Sequence, residues 1–161
     1  MDGTDCRIPR PREYVADVIV ALDYPSADEA LTMVERLGPP ATFYKVGLEL
    51  YTRGGPSFVE SLATLGKRVF LDLKLHDIPN TVARSVGVAR DLGVDFLTLH
   101  TTGGGPMMAA AAEAAGAELT LLGVTVLTSL AVSDVEEVWN RELGSLGDEV
   151  VRLAGLAKEA G

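Results

Sequence analysis

Residues 68–82 read RVFLDLKLHDIPNTV, and the first half of that stretch decides the fold. Arg68 to Leu75 is a run of strand-forming residues set between a breaker, Gly66, and a helix opener, Pro79. Side chains alternate along a strand, so Leu71, Leu73 and Leu75 share one face while Phe70, Asp72 and Lys74 share the other. One face is apolar throughout. The other carries two opposite charges near its C-terminal end, and Asp77 follows where the chain turns toward Pro79.

Outward from this stretch, four more apolar runs appear: VIVALD (18–23), TFYKVGL (42–48), DFLTLH (95–100) and LTLLGVTVLTS (119–129). Helical patterns separate them. Ser26 reads as an N-cap with Glu29 completing a capping box, and Ala30, Leu31, Val34 and Leu37 form one apolar face before Gly38-Pro39-Pro40. Further helices are expected at about 56–65, 79–92, 106–115, 133–142 and 147–160. Five strand–helix units in alternation predict an α/β fold with parallel strands joined by right-handed crossovers.

Parallel sheets are covered on both faces, so a charged face on the third strand calls for an explanation. Active sites in such folds lie at the carboxyl ends of the strands, where Asp72, Lys74 and Asp77 fall. Opposite charges about 4 Å apart attract by about 4 kcal/mol at an effective dielectric of 20. Two flanking carboxylates are thus expected to keep the Lys74 ammonium charged at neutral pH. Such a lysine is a poor nucleophile but a good cation and proton donor. The bland alternative is an amphipathic strand with a surface ion pair.

The segment DLKLHDIPNTV (72–82) resembles the D-x-K-x-x-D-I-P-N-T signature of orotidine 5′-phosphate decarboxylases. Related sugar-phosphate decarboxylases and synthases share D-x-K-x-x-D but lack the tail present here as Ile78, Pro79, Asn80 and Thr81. Asp23 at the end of VALD, Lys45 in YKVG and the LTS of 127–129 fit the same resemblance, which runs from about residue 17 to the C-terminus. The resemblance implies a TIM (β/α)8-barrel fold, of which about five units are present, and decarboxylation of orotidylate to UMP with neither cofactor nor metal. It implies Lys74, Asp72 and Asp77 as catalytic residues. Asp23 and Lys45 would hold the ribose, Thr128 and Ser129 the pyrimidine edge. Asp77, Ile78 and Thr81 would belong to substrate binding too, with Asp77 and Thr81 reaching across the interface of a homodimer.

Composition sets outer limits. A formal net charge of −9 opposes nucleic-acid and anionic-membrane partners. No stretch approaches the roughly 20 apolar residues of a membrane span. Residues 1–16 read as a loose polar lead without a secretory core, and Cys6 is the only cysteine, so a soluble cytoplasmic chain forming one incomplete barrel domain is expected. His100, Trp139, Met107 and Met108 are read as structural, and Gly103–Gly105 as a βα loop.

The chain departs from the resemblance in length. Strands six to eight, with the phosphate-gripping proline–glycine–isoleucine–arginine type of motif, have no counterpart after Ser129. Two open sheet edges are expected, and a fragment or shortened gene product is favoured over a minimal enzyme. Two other readings stay open: a metal-dependent sugar-phosphate decarboxylase or aldolase, and an inactive barrel fragment that only self-associates.

Overall fold

The computed structural model describes residues 17–161, so the expected lead over residues 1–16 lies outside the described residues. Five strands, β1 (Ile19–Leu22), β2 (Phe43–Gly47), β3 (Arg68–Leu75), β4 (Phe96–His100) and β5 (Thr120–Val124), form one sheet in chain order. Every neighbouring pair is parallel. Helices α1 (Ala27–Leu37), α2 (Leu48–Thr64), α3 (Pro79–Asp91) and α4 (Gly105–Ala115) fill the crossovers, and α5 (Val132–Trp139) and α6 (Leu146–Glu159) follow β5.

Strand order 1-2-3-4-5 with crossovers of one hand places the helices on a single side of the sheet. A doubly wound sheet would reverse direction at some point, and this one does not. The core lies on the helix side. Leu22, Tyr44, Val46, Leu71 and Leu97, one or two from each of the first four strands, are no more than 1% exposed there. They pack into one cluster with Val34 of α1, Val59 and Leu62 of α2, Val86 of α3 and Ala111 of α4. Alternation sends Lys45, Phe70, Asp72 and Thr98 to the opposite, inner face. Among the described residues β1 pairs only with β2 and β5 only with β4. Ala21 and Thr120, on those two strands, are correspondingly exposed. This is the α/β arrangement of a (β/α)8 barrel over five of its units.

Local chemistry explains most boundaries. Ser26 caps α1, accepting from the Glu29 N–H at 3.2 Å while its hydroxyl donates to Glu29 Oε1 at 3.0 Å. Pro79 occupies the first turn of α3, where its missing N–H costs nothing. Two expectations need correction. Helix α2 opens at Leu48, one segment earlier than expected: Gly55 (φ +57°) is non-helical and joins that segment across a kink to the one starting at the expected Pro56. Strand β5 ends at Val124, and the apolar run beyond it, 125–130, is a bend and a turn.

The N-terminal ends of the strands carry a stabilising cluster. Arg68 donates to Asp95 and Asp17, both at 2.8 Å, and its guanidinium lies 4.1 Å from the centre of the Phe43 ring. Phe43 in turn meets Phe96 at 5.3 Å. No helix among the described residues is long and apolar enough to cross a membrane.

Candidate active site

Four charged side chains converge at the carboxyl ends of β1 to β3. Asp23 follows β1, Lys45 lies in β2, and Asp72 and Lys74 lie in β3. Lys45 Nζ is 3.3 Å from Asp23 Oδ1 and 3.8 Å from Asp72 Oδ2. Lys74 Nζ is 2.7 Å from Asp72 Oδ1. The signs alternate along this chain, so each charge has an opposite neighbour and none is stranded. All four residues line a cleft of about 520 Å³, with Leu48 and His100 among its walls.

The expectation that Asp72 and Asp77 flank Lys74 holds for one side only. Within the chain, the lysine held between two carboxylates is Lys45. Asp77 accepts instead from the backbone N–H of Ile78 at 2.6 Å, makes no ion pair with Lys74 and is exposed. Ile78 is 66% exposed at the N-cap of α3, and Thr81 is exposed one turn on. Together with His76 and Thr102, Asp77 and Ile78 line a second open depression beside the cleft. Thr128 and Ser129 form an exposed turn after β5 and are not part of the cleft wall. The structure thus brings Asp23, Lys45, Asp72 and Lys74 together, and leaves Asp77, Ile78, Thr81, Thr128 and Ser129 on the surface around the same end of the sheet.

The backbone of β3 is irregular where it matters. Leu71 pairs with Leu97 and the next partners are Leu75 and Leu99, so residues 72–74 stand opposite Thr98 alone. This bulge puts Lys74 at φ +53°, a left-handed conformation rare for a non-glycine residue. Strained backbone of this kind gathers at functional sites because it aims a side chain that a regular strand would point elsewhere.

Electrostatics follow the geometry. Burial alone raises the Asp72 carboxyl, but hydrogen bonds from Lys74 and Thr98, together with the charges of Lys74 and Lys45, outweigh it and leave it below the ordinary range. Asp72 is therefore an anion that organises two cations. His100 is held below the ordinary histidine value by burial, then by His76 and Lys74. Its ring lies 5.4 Å from that of His76, centre to centre. A neutral His100 adds no positive charge beside Lys74. The site can hold a polyhydroxylated ligand between Asp23 and Lys45 and present a single ammonium to an adjacent developing negative charge.

Comparison with known proteins identifies the family. The family model described as orotidine 5′-phosphate decarboxylase / HUMPS family matches residues 16–161. An orotidine 5′-phosphate decarboxylase of Alcanivorax borkumensis is 49% identical over 89% of this chain and 63% of its own length. One from Chromohalobacter salexigens is 50% identical over 89% of this chain and 61% of its own. Among solved structures, an orotidine 5′-phosphate decarboxylase from Lactobacillus acidophilus superposes with a TM-score of 0.83 at 37% identity, covering 89% of this chain and 67% of that one. The chain spans about three-fifths of the length of the curated relatives it matches. With the family model spanning all but the first residues, and with these identities, the chain belongs to the orotidine 5′-phosphate decarboxylase / HUMPS family.

Proposed function

We propose that this chain carries the ribose and pyrimidine half of a cytoplasmic orotidine 5′-phosphate decarboxylase site, which yields UMP in the last step of de novo pyrimidine nucleotide synthesis. The observation that carries the reading is the alternating row Asp23–Lys45–Asp72–Lys74 in one cleft. In the reaction the bond from C6 to the carboxylate breaks, CO2 leaves, and the electron pair remains on C6. The Lys74 ammonium, anchored by Asp72, meets that charge and then passes one proton from Nζ to C6; solvent restores the lysine proton. Asp72 fixes the ammonium in advance, so the favourable electrostatics require no reorganisation during the reaction. Asp23 and Lys45 bind the ribose hydroxyls, and Thr128 with Ser129 closes over the pyrimidine edge. Asp77 and Thr81, exposed around the start of α3, reach the neighbouring subunit's site in a homodimer, and Ile78 between them belongs to substrate binding.

The test follows UMP formation from orotidylate by the chain alone and by the chain joined to the C-terminal βα units of a relative. The joined form should turn over, and Lys74→Ala should lower its rate by about 10²–10⁴-fold or more. Turnover that persists in Lys74→Ala would end this mechanism. Magnesium-dependent conversion of a ketose phosphate by the same preparation would move the assignment to the sugar-phosphate branch.

A further inference from the structure

Resting on that reading, we propose that Thr98 is the positioning residue of the site: its one hydroxyl fixes both the backbone of Lys74 and the carboxylate of Asp72, and so aims the ammonium. Thr98 lies at the middle of β4 and is 4% exposed, one of very few buried polar residues among those described. A hydroxyl has one proton to donate and lone pairs to accept with. Both functions are used. The Lys74 N–H donates to Thr98 Oγ1 at 2.8 Å, and Thr98 Oγ1 donates to Asp72 Oδ1 at 3.1 Å.

The arrangement follows from the bulge. Three β3 residues, 72–74, face Thr98 alone, and regular ladder bonding is lost over that stretch. Lys74 takes a left-handed backbone whose N–H turns to the neighbouring strand's side chain instead. The same oxygen then reaches the carboxylate that holds Lys74 Nζ at 2.7 Å. Lys74 is therefore gripped at both ends, backbone and ammonium, through one atom of β4. Lys45, at 3.8 Å from the other carboxylate oxygen, completes the orientation of Asp72. Valine has the shape of threonine and neither function. Serine keeps both.

Three forms of the 161-residue chain test this: wild type, Thr98→Val and Thr98→Ser. NMR reads two quantities in each, the titration midpoint of the Asp72 side-chain carboxyl and hydrogen exchange at the Lys74 amide relative to that of Val69 in the same strand. Thr98→Val should raise the Asp72 midpoint and speed Lys74 exchange about tenfold or more relative to Val69. Thr98→Ser should keep both near wild type. Unchanged values in Thr98→Val, or failure of serine to preserve them, would overturn the proposal. Should Thr98→Val not fold, wild type and Thr98→Ser still decide. A Lys74 amide that exchanges as fast as an exposed one, or an Asp72 carboxyl titrating at or above the ordinary aspartate value, refutes it. Slow exchange with a low midpoint in both supports it. None of these readouts needs turnover, so they stand or fall separately from the decarboxylase reading, which the Lys74→Ala assay tests.

Discussion

Replacing Lys74 by glycine should leave the fold more stable than replacing it by alanine. Both substitutions remove the ammonium and its bond to Asp72, so that loss cancels in the comparison. What differs is one methyl group on a backbone at φ +53°. A Cβ in the left-handed region costs about 1–2 kcal/mol. Glycine gives back about 0.5–1 kcal/mol through the greater freedom of its unfolded chain. The net expectation favours Lys74→Gly by about 0.5–1 kcal/mol, or roughly 1–4 °C in Tm for a domain of this size. At an ordinary strand position the sign is reversed, and glycine is worse by a similar amount. Urea unfolding at neutral pH, with both variants measured under one set of conditions, reads the difference directly. If Lys74→Ala is the more stable by about 0.5–1 kcal/mol, the residue is unstrained and the bulge is not the device that aims it.

Two further outcomes follow from groups remote from the cleft. Glu149, 3% exposed in the first turn of α6, accepts from Arg152 and from Arg141 at 2.6 Å. The Arg152 hydrogen bond, against the opposing effect of burial and with Arg141 assisting, holds its carboxyl down at about 2 from an ordinary 4.5. At about 1.4 kcal/mol per unit, discounted because both arginines are half exposed, Glu149→Gln should cost about 2 kcal/mol at pH 7. A depressed folded-state value stabilises fully above the ordinary glutamate range and is lost as pH falls toward about 2, so the gap between wild type and variant should close over that interval. Chemical unfolding at stepped pH checks it, and a gap unchanged at low pH would contradict it. Asp95 accepts from Arg68 Nε at 2.8 Å and from the N–H of buried Val69 at 3.0 Å, at the end of the sheet opposite the cleft. Asp95→Ala should lower stability by about 1–3 kcal/mol and leave nucleotide affinity unchanged, as unfolding and calorimetric titration will show.

Much of this architecture was legible in the sequence, and the exceptions share a cause. Strong local punctuation read correctly: Ser26 with Glu29 for α1, Pro79 for α3, and the alternation of RVFLDLKL for a strand with one charged face. The DLKLHDIPNT segment carried the family and, with VALD and YKVG, the four residues that meet in the cleft. Failures came where the answer lies in another part of the chain. Apolar composition continues past Val124, so nothing local marks the end of β5; it ends where pairing with β4 ends, at His100. The segment from Leu48 ahead of the expected helix start at Pro56 was missed; it joins the later segment across a kink at Gly55, with Leu50 on one side and Phe58 on the other buried in the same core. The bulge in β3 exists only relative to β4, and alternation within one strand cannot reveal it. Thr98 was missed for that reason, although a lone hydroxyl in FLTLH, a strand otherwise apolar up to its terminal histidine, was a usable sign. The pairing of Glu149 is part local and part not: Arg152 lies one turn on in the same helix, whereas Arg141 is brought in by how the segment after α5 folds back. Within the chain Asp77, though near Lys74 in sequence, turns to the Ile78 N–H.

The central claim is that Asp23, Lys45, Asp72 and Lys74 form a nucleotide site with one chemically active cation. Its most direct test is titration of the purified chain with UMP or a barbiturate ribotide, followed by calorimetry and sedimentation together, in wild type and in Lys74→Ala. The account predicts saturable binding to a folded dimer, with the anionic barbiturate analogue weakened far more than UMP by Lys74→Ala. Equal affinity of wild type and variant for the barbiturate analogue would contradict it.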